Sequence, residues 1–353
     1  MTDIKVVIGA NYGDEGKGLV SANLARTAQK EHKSCLTIFY NGTVQRAHSY
    51  GNTIRHCTAA GEQFGSDTYY HKMFVVDPIA LWVANVKNIY IDPNCRLILP
   101  CDVAANRNKE TARGKDRHGS CGFGLFEAVK RSETNCFRAE EMKSPFDIYK
   151  RMKFADQNYG NLYNMDNFMR AIAWVMSNNT ITSFNDLMAE KQYDVIIYEG
   201  GQGLLLGQQN RGDFPHLTPS STGTFNLMGD KFDSAPELYY VSRTYMTRHG
   251  AGPMEAECLK AEINPNIVDK VNHPNEWQGS LRFGRLDIDT LYQRVREDSL
   301  YLPVKPKINL VFTQLNYTDG KLDTTKGRID IEKPDFCDKV FVSNNKYDIF
   351  NFA

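Results

Sequence analysis

A glycine-rich stretch near the start of the chain places the strongest constraint on what this sequence can fold into. Residues 6–8 are apolar and β-branched, which predicts a short buried strand. The glycines that follow allow a tight turn whose backbone N–H groups approach a ligand closely: Gly9, Gly13, Gly16 and Gly18. Helical spacing of apolar residues begins after Lys17. Strand, glycine loop, lysine and helix start together predict a cradle for a phosphate group.

This loop differs at two positions from the common nucleoside-triphosphate motif G-x-x-x-x-G-K-[ST]. Asn11 stands where that motif has its first glycine, and Gly18 stands where it has a hydroxyl residue. Because no hydroxyl follows Lys17 to bind magnesium, another oxygen has to do so, and the Asp14 carboxylate is the candidate. The alternative is a plain strand–helix turn in which Asp14 caps the helix.

Several motifs, taken in order, resemble one known family. Gly13–Gly18 (GDEGKG) resembles the signature loop of adenylosuccinate synthetases, and the other landmarks are Gln45–His48 (QRAH), Glu199–Gly203 (EGGQG), Thr247–Pro253 (TRHGAGP) and Thr313–Asn316 (TQLN). On these motifs the chain is identified as a member of that family. The resemblance implies an α/β fold, with a P-loop-like, mostly parallel central sheet flanked by helices and smaller inserted elements. A single domain over residues 1–353 is expected.

Composition excludes several other classes of protein. Lys plus Arg and Asp plus Glu both number 42, so the formal charge is zero, which argues against a sequence-blind nucleic-acid binder. No apolar run approaches the length of a membrane span, and the N-terminus lacks a signal-peptide pattern. The eight cysteines include no C-x-x-C pair and are typical of buried thiols in a reducing compartment. We therefore expect a cytoplasmic enzyme (host cytoplasm if viral) with no membrane or nucleic-acid partner.

The order of elements predicts where a ligand binds. A second strand over residues 35–40 opens into the loop that contains His48, so ligand residues follow both of the first two strands. This arrangement is typical of a parallel sheet that binds at the carboxyl ends of its strands. Residues 140–190 are predicted to be helical with Phe146 among the core positions, residues 194–199 form a buried strand, and residues 103–118 are expected to be an exposed loop.

The resemblance implies three groups of binding residues. The purine monophosphate would contact Asn11, Asp14, Ser120, Cys121, Arg131, Gln202 and Thr222. The nucleotide donor would contact Gly13, Glu15, Gly16, Lys17, Gly18, Gln314, Asn316, Ser343 and Asn344. L-Aspartate would be bound by Gly279, Ser280, Leu281 and Arg282. In the family an arginine crosses a homodimer interface to the partner's phosphate, and Arg131 is the match. The alternatives without a binding role are a flexible turn at residues 119–124 and a surface charge cluster around Arg282.

The chemistry implied is activation of a poor leaving group. Converting the purine 6-oxygen to a phosphate ester allows an amine to displace it, and the protein contributes mainly positioning and charge stabilisation. Asp14 would take the N1 proton and bind Mg²⁺, with the carbonyl of Ala47 completing the metal shell. His48 would act as general acid at O6. Lys17 and the loop amides would stabilise the phosphoryl oxygens.

Departures from the family pattern point to particular nucleotides. In the family, the aspartate of a T-K-L-D motif recognises the guanine base of GTP. Asn316 stands at that position here, and its amide can both donate and accept a hydrogen bond, which suits adenine. ATP or dATP is therefore the predicted phosphoryl donor. The short chain, the changed base contact and the thinned arginine loop resemble the bacteriophage branch that joins aspartate to dGMP, although some of that branch lack the aspartate found here as Asp14. IMP is the alternative acceptor, and a nucleotide-dependent switch without ligase chemistry is the alternative class.

Overall fold

The computed structural model describes residues 2–43, 47–159, 165–230, 232, 234–269, 272, 274 and 276–352, with only the backbone described at 47 and 154–159. Within these ranges the strands are β1 (Asp3–Gly9), β2 (Cys35–Phe39), β3 (Ala47–Tyr50), β4 (Thr53–His56), β5 (Ser66–Tyr70), β6 (Val75–Val76), β7 (Tyr90–Ile91), β8 (Arg96–Leu97), β9 (Thr180–Ile181), β10 (Val195–Gly203), β11 (Glu237–Arg243), β12 (Met246–Arg248), β13 (Glu257–Cys258), β14 (Arg282–Gly284), β15 (Lys307–Thr313), β16 (Leu322–Thr324), β17 (Gly327–Ile329), β18 (Lys339–Val342) and β19 (Phe350–Asn351).

The helices are α1 (Lys17–Lys30), α2 (Pro78–Val83), α3 (Pro100–Arg113), α4 (Leu125–Arg131), α5 (Pro145–Tyr159), α6 (Met165–Asn178), α7 (Phe184–Glu190), α8 (Lys260–Ile263) and α9 (Ile288–Ser299). Short 3₁₀ segments span Ala60–Phe64, Gly114–Asp116, Ala139–Lys143, Leu204–Leu206, Arg211–Asp213, Gly223–Leu227 and Leu315–Tyr317. None of the helices in the described ranges is long and apolar enough to cross a membrane.

A ten-stranded sheet forms the centre of the fold, in the order β19-β18-β15-β11-β1-β10-β2-β5-β7-β9. Its neighbouring strands pair in parallel except for β19, which pairs antiparallel with β18. β1 lies between β10 and β11. The predicted mostly parallel, helix-flanked sheet is therefore confirmed, and the smaller inserted elements are the three-stranded sheet β12-β14-β13 and the hairpins β3–β4 and β16–β17.

The apolar run that opens the chain is buried on both faces of the sheet. Val6 and Ile8 enter one core cluster, while Val7 enters another together with residues of α1. All three side chains are fully buried. Because side chains alternate across a strand and helices cover both faces, a parallel strand has to be apolar throughout. The sequence pattern at residues 6–8 follows directly from this requirement.

Two expectations about helices were wrong. Residues 103–118 were predicted to be an exposed loop, but α3 runs through most of them, and its buried face carries Asp102, Asn106 and Glu110. A helix whose buried face is polar lacks the apolar periodicity on which the prediction relied. Phe146, predicted to be in the core, lies in the first turn of α5 and is 66% exposed. The region predicted as helical contains α5, α6 and α7, with the short strand β9 between the last two.

Candidate active site

The loop between β1 and α1 is held together by the carboxylate of Glu15. Its Oε1 accepts hydrogen bonds from the backbone N–H groups of Gly13 (2.7 Å) and Asn11 (3.2 Å). Lys17 Nζ donates to the Gly13 carbonyl (2.6 Å) and lies 3.7 Å from Glu15 Oε2. Burial raises the pKa of Glu15, and Lys17 opposes that shift. Glu15 was predicted to contact the donor nucleotide, and in this structure its carboxylate occupies two amides of the loop.

Asp14 is anchored by its backbone, which leaves its side chain at the mouth of the loop. Buried Arg243, at the end of β11, donates from Nε to the Asp14 carbonyl (2.6 Å) and pairs with Asp269 (2.7 Å). That ion pair holds the pKa of Asp269 below its usual range against the effect of burial. The Asp14 carboxylate is 26% exposed, and its Oδ2 lies 3.9 Å from His249 Nε2. Gly16 occupies the N-cap of α1, so the alternative in which Asp14 caps the helix is wrong.

His48, in the β3–β4 hairpin, is held by a carboxylate on β10 of the central sheet. Its Nδ1 lies 2.8 Å from Oε1 of the fully buried Glu199 on β10, and its ring stacks on Phe39 with 5.0 Å between centroids. A Cβ built at Gly18 would lie 3.0 Å from His48, so glycine there allows the histidine to pack against α1. Gln45 and Arg46 of the predicted motif lie outside the described residues. Ala47, a predicted metal ligand through its carbonyl, pairs with His56 in β3–β4.

The predicted monophosphate contacts differ in how their side chains are used. Gln202 Oε1 is buried and has no hydrogen-bond partner among the described residues, so it offers an acceptor to a ligand. Asn11, in contrast, donates to Ser242 Oγ (2.9 Å) and accepts from Arg294 Nη2 (2.8 Å). Thr222 is fully buried, and its hydroxyl donates to the Leu204 carbonyl (3.4 Å). Asn11 and Thr222 therefore support the site from inside the protein in this structure.

The second glycine loop, residues 119–124, packs against the Gly250–Gly252 segment. Ser120 and Asn106 of α3 exchange hydrogen bonds of 3.0 and 3.3 Å. The neighbouring Cys121 is half-buried. Arg107, also on α3, donates to the Gly122 carbonyl (3.0 Å) and places a cation beside this loop. Arg107 was missed because its region was predicted to be an exposed loop.

Arg131 does not project from the surface as the prediction required. It is 8% exposed, and its Nε and Nη2 form a bidentate pair with the Asp102 carboxylate at 2.9 Å each. Nη2 also donates to the Leu97 carbonyl (2.8 Å). This pairing argues against a role at the phosphate of a second copy, since the guanidinium would have to leave a buried carboxylate unpaired. The role in a second copy stays a prediction.

Arg131→Met is therefore expected to destabilise the protein without weakening monophosphate binding. Removing one partner of a buried ion pair costs about 3–5 kcal/mol in the free energy of unfolding. Denaturant titration measures that loss, and the KM for the purine monophosphate should stay within about twofold of wild type in the protein that remains folded. A large rise in that KM with unchanged stability would restore the phosphate role.

The predicted aspartate-binding segment borders an open cavity of about 540 Å³. The cavity is lined by Gly250, Ala251, Gly252, Gln278, Ser280 and Arg282. Arg282 Nη1 donates to the carbonyls of Gly250 (3.0 Å) and Gly252 (2.8 Å), and its Nε donates to Glu257 (2.8 Å). The hydrogen bond with Arg282 lowers the pKa of Glu257. Of the four predicted residues, Ser280 and Arg282 line the cavity, whereas Gly279 and Leu281 only flank it.

The residues predicted to contact the base of the donor nucleotide follow two strands, β15 and β18, and lie close together. Gln314 adopts φ 67° just after β15, and the exposed Asn316 follows in a 3₁₀ turn. Ser343, which follows β18, accepts a hydrogen bond from the Leu315 N–H at 3.1 Å. The exposed Asn344 comes next in the chain. These segments lie beside each other because β15 and β18 are neighbours in the sheet.

The loops after β1, β11, β15 and β18 leave the carboxyl edge of the central sheet. A comparison with protein families identifies the arrangement. The family model for adenylosuccinate synthetase matches residues 75–298, well over half of the chain. This chain belongs to the adenylosuccinate synthetase family. Members of that family are ligases that form a carbon–nitrogen bond.

Curated adenylosuccinate synthetases align with this chain at modest identity. The protein from Halothermothrix orenii is 26% identical, over 93% of this chain and 84% of its own length. The protein from Neisseria meningitidis is also 26% identical, over 94% and 81%. The alignment with the Dichelobacter nodosus protein, again 26% identical, covers 71% of this chain and 64% of that relative.

Two solved structures share the fold. Fully ligated adenylosuccinate synthetase from Plasmodium falciparum superposes with a TM-score of 0.72 at 17% identity, covering 95% of this chain and 84% of that one. The cyanophage S-2L succinoaminodeoxyadenylate synthetase (PurZ), bound to dGMP and dATP, superposes with a TM-score of 0.66 at 16% identity, covering 99% and 95%. At these identities the likeness is one of fold.

A magnesium ion fits the donor set that this member of the family presents. No group of three or more His, Cys, Asp or Glu side chains in the described part of the chain could enclose a metal. Magnesium, however, is commonly bound by one or two carboxylates together with substrate phosphates and water. The partly exposed Asp14 carboxylate, beside loop amides suited to phosphate, meets that requirement.

Proposed function

We propose that this protein joins L-aspartate to C6 of dGMP through a 6-phosphoryl intermediate, using ATP or dATP as the phosphoryl donor. The products would be N6-succino-2-amino-2′-deoxyadenylate, ADP or dADP, and phosphate. The observation that carries the proposal is that the Asp14 loop packs against both other candidate residues: a Cβ built at Gly13 would lie 3.4 Å from Gln202, and one built at Gly18 would lie 3.0 Å from His48. Joining of aspartate to IMP is the alternative reaction.

The geometry suits an acid and a base that act on opposite ends of one amide. Asp14 takes the N1 proton of the purine, which moves negative charge onto O6. His48 donates a hydrogen bond to O6 as that charge develops. Glu199 accepts from the Nδ1 side of the ring and so directs Nε2 toward the substrate, as the carboxylate does in other carboxylate–histidine pairs. The side-chain carbonyl of Gln202 provides a hydrogen-bond acceptor for the purine ring.

Lys17 and the loop amides stabilise the negative charge on the phosphoryl group during its transfer. Magnesium, held by Asp14 and the Ala47 carbonyl, would neutralise charge between the donor phosphates. Because Glu15 accepts from two loop amides, an incoming phosphate competes with its carboxylate for them. The aspartate amine then displaces the phosphate from C6, with the amino acid bound at the cavity beside Arg282.

Asn316 supports an adenine donor. A carboxylate at this position would accept two protons from guanine, whereas an amide both accepts and donates and so pairs with adenine N1 and N6. Its side chain is exposed beside the Ser343–Asn344 segment, where a nucleotide base can stack without displacing core residues.

Asn316→Asp is therefore expected to move donor preference toward GTP. A bidentate base contact discriminates by about 1–3 kcal/mol, so the ratio of kcat/KM for ATP to that for GTP should fall by about five- to 150-fold. Steady-state kinetics with each donor measures the ratio, and the KM values for dGMP and aspartate serve as internal controls. An unchanged ratio would show that Asn316 does not read the base.

The thinned arginine segment favours dGMP over IMP as the acceptor. A structure that shares this fold, the phage enzyme, is bound to dGMP and dATP. The chain also retains only Arg282 and Arg285 in the segment where the family has a run of arginines. One of the family's loop arginines approaches the ribose 2′-hydroxyl, so its absence suits a deoxyribose.

A matrix of acceptors and donors tests the proposal. Phosphate release is measured with IMP, GMP or dGMP against ATP, dATP or GTP, with and without L-aspartate. We expect the highest kcat/KM for dGMP with ATP or dATP, and dependence on aspartate. Preference for IMP would establish the alternative reaction, and phosphate release that ignores both acceptor and aspartate would indicate a nucleotide switch. Turnover with GTP alone would refute the proposed donor.

A further inference from the structure

Helix α9 contacts two of the loops that form the site, although it carries none of the predicted binding residues. Arg294 donates to Asn11 Oδ1 (2.8 Å) and to the Ala10 carbonyl (3.4 Å), so it reaches the phosphate loop after β1. Asp298, one turn further along the helix, reaches the segment that contains Thr222. Residues four apart lie on the same face of a helix. One face of α9 therefore touches both loops.

Asp298 makes buried hydrogen bonds to Thr224 in the turn at residues 222–224 and to Tyr240 on β11. Its two carboxylate oxygens accept from the Thr224 N–H at 3.1 and 3.2 Å, and Oδ2 also accepts from the Tyr240 hydroxyl at 2.8 Å. The Thr224 hydroxyl donates to the Asp298 carbonyl. The aspartate is 3% exposed. A buried carboxylate with this many directed donors fixes the backbone that supplies them.

Gly223 shows how closely the loop approaches Asp298. Its φ is +72°, a conformation that side chains disfavour, and a Cβ built there would overlap Asp298 Oδ1. The preceding residue, Thr222, is fully buried and also bonds through its hydroxyl and carbonyl to residues 204 and 209. The position of residues 222–224 is thus set by α9 on one side and by the segment after β10 on the other.

We propose that Asp298 is a positioning residue for the purine monophosphate, which it serves by holding residues 222–224 at a fixed distance from the phosphate loop that Arg294 holds. The proposal rests on the proposed function, in that it takes residue 222 to border the monophosphate. Asp298 itself touches no substrate. It acts through the Thr224 amide and the conformation of Gly223.

Asp298→Ala is expected to raise the KM for the monophosphate by about tenfold or more, while the KM values for the donor and for aspartate stay within twofold. Asp298→Asn should restore most of the loss. Burial raises the pKa of Asp298 to about 7, so near neutral pH the native group already carries less than a full charge, and an amide oxygen can replace it as acceptor for Thr224. Gly223→Ala tests the same contact from the loop side and should reproduce the defect.

Two controls separate positioning from general instability. Met152→Ala removes a buried side chain from a different core cluster, and it should lower Tm without a selective change in any KM. Amide hydrogen exchange at residues 218–224 should accelerate in Asp298→Ala and not in Met152→Ala. If the alanine variants at 298 and 223 raise all three KM values equally, or move the monophosphate KM by less than twofold, the proposal is wrong. Failure of the proposed function would instead appear in the wild-type substrate matrix.

Discussion

Asp14→Asn is expected to lower kcat by about 10³-fold, because it removes the proposed base at purine N1 and a proposed ligand of magnesium. The loop itself should persist in the variant. Arg243 holds the Asp14 backbone carbonyl rather than its side chain, and Glu15 holds the loop amides. Binding of dGMP, measured by calorimetry in the absence of metal, should therefore stay within about threefold of wild type.

The matched control for this change is Asp289→Asn, which removes the charge of an exposed carboxylate on α9. It should leave kcat unchanged. Near-normal turnover in the Asp14 variant would remove that residue from both of its proposed roles. A loss of dGMP affinity equal to the loss of kcat would instead place Asp14 in substrate binding, because an interaction made only in the transition state changes kcat alone.

His48→Asn is expected to lower kcat by about 10²-fold or more, since a positioned general acid commonly contributes that much. Glu199→Gln should lower kcat by at least about tenfold, because an amide can donate to Nδ1 and so favour the wrong imidazole tautomer. The two side chains form one unit across 2.8 Å. The double variant should therefore be no worse than His48→Asn alone.

His71 and Asp230 provide a control of the same kind. They form a second buried histidine–carboxylate contact, with 3.4 Å between Nε2 and Oδ2, that bears none of the proposed reacting groups. His71→Asn should reduce Tm while kcat stays within about threefold of wild type. Additive losses in the His48–Glu199 double variant would show that Glu199 acts on something other than the histidine.

Much of the site was predictable because its signals are local in sequence. The run at residues 6–8, the glycines and Lys17 stand within a few residues of each other, and the strand, loop and helix formed as expected. The Gln314–Asn316 turn likewise follows directly from the end of β15. In both places the pattern depends on neighbours along the chain, which the sequence displays.

The partners of those residues were not predictable in the same way. Glu199 follows the apolar run of β10, and a charge at that point was a usable signal, but nothing in the sequence indicated that it meets His48. Arg243 similarly ends β11 with no local cue that it holds Asp14. α3 was missed because its inward face is polar, and one of its residues, Asp102, is also the reason that Arg131 is unavailable at the surface.

The family, the mostly parallel sheet and the glycine loop after β1 could be inferred from residues that are close together in the chain, because apolar periodicity and glycine placement act over a few residues. The folded chain was needed to show which carboxylate contacts His48, which arginine holds the Asp14 carbonyl, and how α9 contacts two loops. These contacts join segments that are distant in the chain and adjacent in the fold. Strand order brings β2 beside β10 and β10 beside β1, and buried polar groups there must pair with whatever that order places next to them.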